Sequence, residues 1–177
     1  MKNRVFIIIA LVFISVAGLS FIESSDYPKN AVQLGEKLFK EKLLSRDSSL
    51  SCSSCHKPEF AFADTLAFSI GIHQTPTLRN TPSVLNMKER PYFFWDGRAE
   101  SLEEQALIPI QHPGEMGLPI DEAVARLNTS PFYRKAFRKI FHQNPNRENL
   151  GKALAAFENT LETADSKFDN SGDNLVK

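Results

Sequence analysis

Residues 51–56 read SCSSCH, and they hold both cysteines of a 177-residue chain. Two cysteines in an exported protein usually form a disulfide. A bridge across two intervening residues, however, removes little entropy from the unfolded chain. A redox-active C-x-x-C pair belongs beside a strand in a βαβ unit, and no strand-rich pattern surrounds this one. Four-ligand zinc or iron–sulfur sites need more cysteines than the chain has. The remaining reading is C-x-x-C-H, the attachment motif for haem c. Two thiols add across the two vinyl groups of one porphyrin edge, and the adjacent imidazole turns under the ring to bind iron. Cys52 and Cys55 are then the thioether residues and His56 the proximal ligand, for one covalent haem.

The rest of the composition fits one soluble domain. Apolar residues make up 42% and charged residues 24%, enough apolar material for a single sizeable core. Fourteen phenylalanines suggest a core that fills awkward volumes or packs around something flat. Net charge is zero and neither a basic stripe nor a repeat is present, which argues against nucleic-acid binding.

Residues 1–20 read as an export signal. Lys2 and Arg4 precede an uncharged apolar run, and Ala17, Gly18 and Ser20 are small enough for cleavage. The alternative is an uncleaved anchor, because Val5 to Ile22 approaches the minimum spanning length. No cysteine follows the run, which excludes a lipid anchor there. Attachment of haem c outside the cytoplasm agrees with export. The expected location is the periplasm, or the periplasmic face of the inner membrane if the anchor stays.

Residues 21–29 look like a linker, residues 30–170 like one haem domain, and 171–177 like a polar tail. Within the domain, 31–44 spaces Leu34, Leu38 and Leu44 as an amphipathic helix leading to the motif. Residues 57–97 carry Pro58, Pro76, Pro82 and Pro91 and read as an ordered loop wrapping the cofactor. Ser101 and Glu104 form a capping box for a short helix through Ile108. Ile120, Val124 and Leu127 mark another helix, and Ser130–Pro131 starts one that runs to Phe141. Asn149 to Thr163, with Leu150, Leu154, Phe157 and Leu161 on one side, is the clearest helix. The expected class is all-α, a cytochrome c-like haem domain with long ordered loops.

The second face of the iron decides between electron carrier and catalyst. His73 is the first candidate for a distal ligand, seventeen residues after His56; Met87 and Met116 are weaker candidates that also suit a core. His112 and His142 read as non-ligating. Glu115 suggests another arrangement, in which a carboxylate beside an open iron moves a proton between the two oxygens of peroxide. A solvated turn glutamate is the plainer reading of the same residue. Gln105 and the turn at Pro109 could shape that pocket.

Several stretches then fall in a recognisable order: LGEKLFKEKLLSRDSSLSCSSCHKPEFAFAD, FSIG, RNTPSVLN, FFWDGRAESLEEQALIPIQHPGEMG and KALAAFENTLETADSKFD. Together they resemble the bacterial dihaem cytochrome c peroxidase family, which includes the MauG-like proteins, over roughly residues 31–170. The family's fold is two mainly helical cytochrome c domains with a haem each. The resemblance is to the N-terminal, peroxidatic domain. It implies that His56 is the proximal histidine, Glu115 the catalytic glutamate, and Gln105 and Pro109 the pocket glutamine and proline. The tryptophan between the haems falls on Trp95. An asparagine that serves calcium at the domain interface falls on Asn80, here a calcium remnant without the other half of its site.

The sequence departs from the pattern in two ways. Classical members place a switching histidine directly after SIG, where this chain has Ile72 and then His73. MauG-like members lack that histidine, so an iron left open toward Glu115 is the expectation. The chain also shows no second C-x-x-C-H. Reducing peroxide to water takes two electrons, so a single-haem version needs a redox partner: a second haem subunit, a homodimer, or a radical at Trp95 or a tyrosine. The expected function is a haem c-dependent peroxidase-type oxidoreductase, or its single-haem subunit, acting on hydrogen peroxide. The alternatives are a monohaem electron-transfer cytochrome and a haem-bearing sensor or interaction subunit. Each leaves apolar surface for a partner.

Overall fold

The computed structural model describes residues 27–164. The expected signal at 1–20 and tail at 171–177 lie outside them. So does most of the expected linker, although Tyr27 at its end packs edge-on against Phe132, ring centroids 5.1 Å apart. No helix among the described residues is long and apolar enough to cross a membrane.

Among the described residues the regular structure is helical. In chain order it comprises α1 (Ala31–Phe39), α2 (Cys52–Cys55), α3 (Leu102–Gln105), α4 (Ile108–Gln111), α5 (Ile120–Thr129), α6 (Pro131–Phe141) and α7 (Arg147–Glu158), with 3-10 turns at Lys42–Leu44, Pro58–Phe60 and Ile72–Gln74. β-Structure is limited to isolated bridges such as Lys57 with Ala63 and Phe93 with Ala99. The all-α expectation is met.

α1 and α7 form the frame. Asn30 caps α1 by accepting from Gln33 N–H at 2.9 Å, and Leu34, Leu38 and Phe39 of its inner face are buried. The two helices cross at Gly35. A methyl group there would stand 1.9 Å from the Ala153 carbonyl oxygen, so only glycine permits this approach. The apolar stripe of α7 fills the opposite wall, and Phe39 meets Phe157 with centroids 5.2 Å apart.

The sequence places α1 through residue 44, but the helix ends at Phe39. Glu41 turns back to accept from Leu43 N–H at 2.9 Å and from the Tyr133 hydroxyl at 2.5 Å, which starts a separate 3-10 turn. That turn is then held from α5. The Arg126 guanidinium donates to the carbonyls of Ser45 at 2.8 Å and Arg46 at 3.0 Å. α7 begins two residues earlier than its spacing suggests, at a reciprocal cap in which Asn146 and Asn149 accept from each other's N–H groups. It ends at Glu158, short of Thr163, because Leu161 O is taken by Asn86 N–H at 2.8 Å.

Candidate haem-attachment and peroxide site

α2 is a single turn. His56 N–H closes it on Cys52 O at 2.9 Å, while Ser51 N–H donates to Ser54 Oγ at 3.0 Å. One helical turn sets Cys52 and Cys55 on the same face, and both thiols are free. Burial raises both thiol pKa values, and the Ser69 hydroxyl partly offsets this at Cys55.

His56 leaves the helix with φ −97° and ψ 86°. Its Nδ1–H donates to Phe62 O at 3.0 Å, which fixes the tautomer and leaves the Nε2 lone pair for a metal. The loop that supplies this carbonyl is strained: Ala61 and Phe62 both have positive φ, 54° and 55°. The cost is of order 1–3 kcal/mol for each such residue, and Phe62 N–H to Lys57 O at 2.8 Å holds the conformation. Burial lowers the His56 pKa, opposed by the Phe62 and Pro82 carbonyls. The ring is therefore neutral, as a ligand must be. Phe39 lies 6.2 Å from it, centroid to centroid.

Asp64 braces the same loop. Its carboxylate accepts from Lys57 Nζ and Ser69 Oγ, both at 2.6 Å, and these two bonds hold its pKa down at about 2. Ser69 in turn meets Thr81 Oγ1 at 2.7 Å.

Glu115 lies in the turn after α4. Its pKa is raised by burial, against the pull of His112 and Arg98, although the side chain stays 39% exposed. A charge on Glu115 is a minor cause of the raised pKa values of both cysteines. His112 Nδ1 lies 3.5 Å from Glu115 Oε1. The same nitrogen accepts Gly114 N–H at 3.3 Å. Gln105 and Pro109, on α3 and α4, are half-buried.

The other sequence candidates fall elsewhere. His73 is exposed, with φ 57°, and its charge acts on Asp47; the buried residue beside it is Ile72, whose N–H donates to Glu115 O at 2.8 Å. Met87 and Met116 belong to the core cluster. Asn80 uses its amide to hold the loop, donating to Leu66 O at 3.1 Å and Ala67 O at 3.4 Å. No cluster of three His, Cys, Asp or Glu that could hold a metal ion occurs among the described residues. Trp95 is 72% exposed under the Arg79 guanidinium, 4.4 Å from its ring.

The donor set fits haem c: two unpaired thiols on one helical turn, and a neutral imidazole with one nitrogen committed and one free. Two cavities, of about 360 and about 490 Å³, involve none of these residues; Tyr27 and Lys29 line one, Leu43 and Phe132 the other. Sequence reading missed Glu158, a carboxyl that is 4% exposed with Oε2 lacking a hydrogen-bond partner. Its signal was its position: Glu158 stands four residues after Leu154 and three before Leu161, inside the apolar stripe.

A family model described as di-haem cytochrome c peroxidase matches residues 29–174. The methylamine utilization protein MauG of Methylorubrum extorquens is 40% identical over 155 residues, covering 83% of this chain and 44% of that protein. Cytochrome c551 peroxidase of Pseudomonas aeruginosa is 40% identical over 140 residues, covering 77% of this chain and 40% of that protein. Among solved structures, a MauG-like protein associated with microbial copper homeostasis aligns with a TM-score of 0.74 and 32% identity, over 85% of this chain and 46% of that one. The chain spans less than half the length of these relatives.

Proposed function

The chain belongs to the di-haem cytochrome c peroxidase family, and from that premise we propose that it forms a peroxidase unit with one haem c, reducing hydrogen peroxide with electrons from a redox partner. Cys52 and Cys55 hold the haem through thioethers and His56 Nε2 binds its iron. When bound, the haem supplies the redox-active metal at which the O–O bond is cleaved. The residues around it manage protons and access. Glu115 takes a proton from one peroxide oxygen and returns it to the other, so that the departing oxygen leaves as water. Each peroxide consumes two electrons and two protons and yields two waters. Gln105 and Pro109 shape the approach to Glu115.

The observation that carries this reading is the donor set of Cys52, Cys55 and the committed imidazole of His56, with Glu115 near enough for its charge to act on both thiols and burial raising its own pKa. An electron-transfer cytochrome would need a strong sixth ligand. The exposed position of His73 and the core positions of Met87 and Met116 speak against one.

Partner and location belong to the same proposal. The loop 57–101 exposes Leu66, Leu78, Tyr92 and Trp95, with Leu78 at 87%. Asn80 ties the Leu66 segment to this face and Arg79 ties Trp95 to it. A second haem-bearing domain or subunit covers the face, and Trp95 lies on the electron path between the two. Export by residues 1–20 places the unit in the periplasm.

Glu115→Gln tests the reading. The amide keeps the shape but cannot accept the proton, and turnover with a reduced donor should fall about 100-fold or more at unchanged haem content. Turnover equal to wild type would remove Glu115 from the mechanism.

A further inference from the structure

Glu158 is the last residue of α7, and its carboxyl is the one buried side-chain group among the described residues that leaves an atom without a hydrogen-bond partner. Native proteins rarely leave such a group unsatisfied unless it serves something. Burial is the one cause that pushes its pKa up, to about 8, and no charged side chain among the described residues offsets it. The carboxyl is thus neutral and protonated near neutral pH. The titratable group on which it acts is Cys52, whose thiol it pushes further up. Phe157, beside it, packs on Phe39, which lies against His56 and Phe62. The rings of Phe157 and Phe39 thus form an apolar path from the end of α7 to His56.

In such surroundings charges interact strongly. Adding an electron to a cofactor bound at Cys52 makes the site more negative, and the neutral carboxyl becomes the favoured form. Removing the electron favours the carboxylate.

We propose that Glu158 is a proton-holding residue that couples electron arrival at the haem site to proton uptake and so sets the haem potential. The electron comes from the redox partner and the proton from solvent; the Glu158 carboxylate gains the O–H bond as the iron gains the electron. Glu158 touches neither substrate nor iron and acts through charge. The inference rests on Cys52 carrying haem c, and peroxide turnover is not part of its test.

The test is the reduction potential of the haem-loaded full-length protein as a function of pH, for wild type and Glu158→Gln. In wild type the reduction equilibrium falls by up to tenfold per pH unit through the titration of Glu158, up to about 59 mV per unit. The glutamine variant, which imitates the protonated acid, matches wild type on the acid side and stays flat through that window. A variant that keeps the wild-type slope overturns the assignment. Wild-type protein supplies a second measurement should the variant fail to load haem: an infrared band of a buried protonated carboxyl that is lost at alkaline pH and strengthens on reduction. Absence of that band at neutral pH also overturns it. Failure of wild type to carry covalent haem overturns the haem reading and this inference together, and is distinguished by mass.

Discussion

Gly71→Ala is the sharpest perturbation of the way the fold places Glu115. Gly71 lies where the loop before His73 crosses the Glu115 turn, and Ile72 N–H binds Glu115 O at 2.8 Å. A Cβ at Gly71 would stand 2.0 Å from Gly114 O, 2.9 Å from Gly114 C and 3.2 Å from Glu115 Cα. All three are backbone atoms, so no side chain can swing aside. The φ of −82° is one any residue adopts, which leaves the clash as the only cost. Relief requires the loop and the turn to part by on the order of 1 Å, at about 1–3 kcal/mol for overpacking. Losing the Ile72 bond adds about 1 kcal/mol. The sum, about 2–4 kcal/mol, leaves a domain of ordinary stability folded. A displacement of that size at a reacting group costs about 100-fold in rate. The assay is denaturant unfolding and peroxide turnover on one haem-loaded sample. We expect a lower midpoint, unchanged haem content and turnover reduced by one to two orders of magnitude. Wild-type stability together with wild-type turnover would refute the claim that this crossing positions Glu115.

Two other perturbations test the frame. Arg126→Met keeps the apolar stem but removes the donors to the Leu43, Ser45 and Arg46 carbonyls; we expect a loss of about 2–3 kcal/mol in urea unfolding, and a loss below about 0.5 kcal/mol would show that water replaces the guanidinium. The Glu158 pKa rises on folding from 4.5 to about 8, so the folded state keeps a proton that the unfolded chain has released. Stability is then full below about 4.5 and falls as pH rises toward about 8, by a few kcal/mol in total. Glu158→Gln should flatten that fall, and equal pH profiles for the two proteins would contradict the buried-acid assignment.

What was legible in the sequence was largely what is local. Ser130 and Pro131 start α6 as their residue types require. Long-range partners set the ends that spacing misplaced. Glu41 ends the α1 segment through Tyr133, and Asn86 draws Leu161 away from α7. His73, the distal candidate by sequence distance, is exposed with positive φ, and the buried residue beside it is Ile72. Glu115 was a candidate from its chemistry, and the resemblance singled it out, because a glutamate in a QHPGEMG turn carries no periodic signal and reads equally as a solvated turn residue. The reverse holds for Glu158, an acid in an apolar stripe whose meaning appears only once its burial is known.

The central claim is that this site holds a haem c open to peroxide on the Glu115 side. The most direct measurement is the absorption and low-temperature EPR spectrum of the purified ferric protein, before and after peroxide. The account predicts covalent haem with a high-spin ferric signal that peroxide converts within the mixing time. A six-coordinate, low-spin spectrum that peroxide leaves unchanged, in both oxidation states, would contradict it.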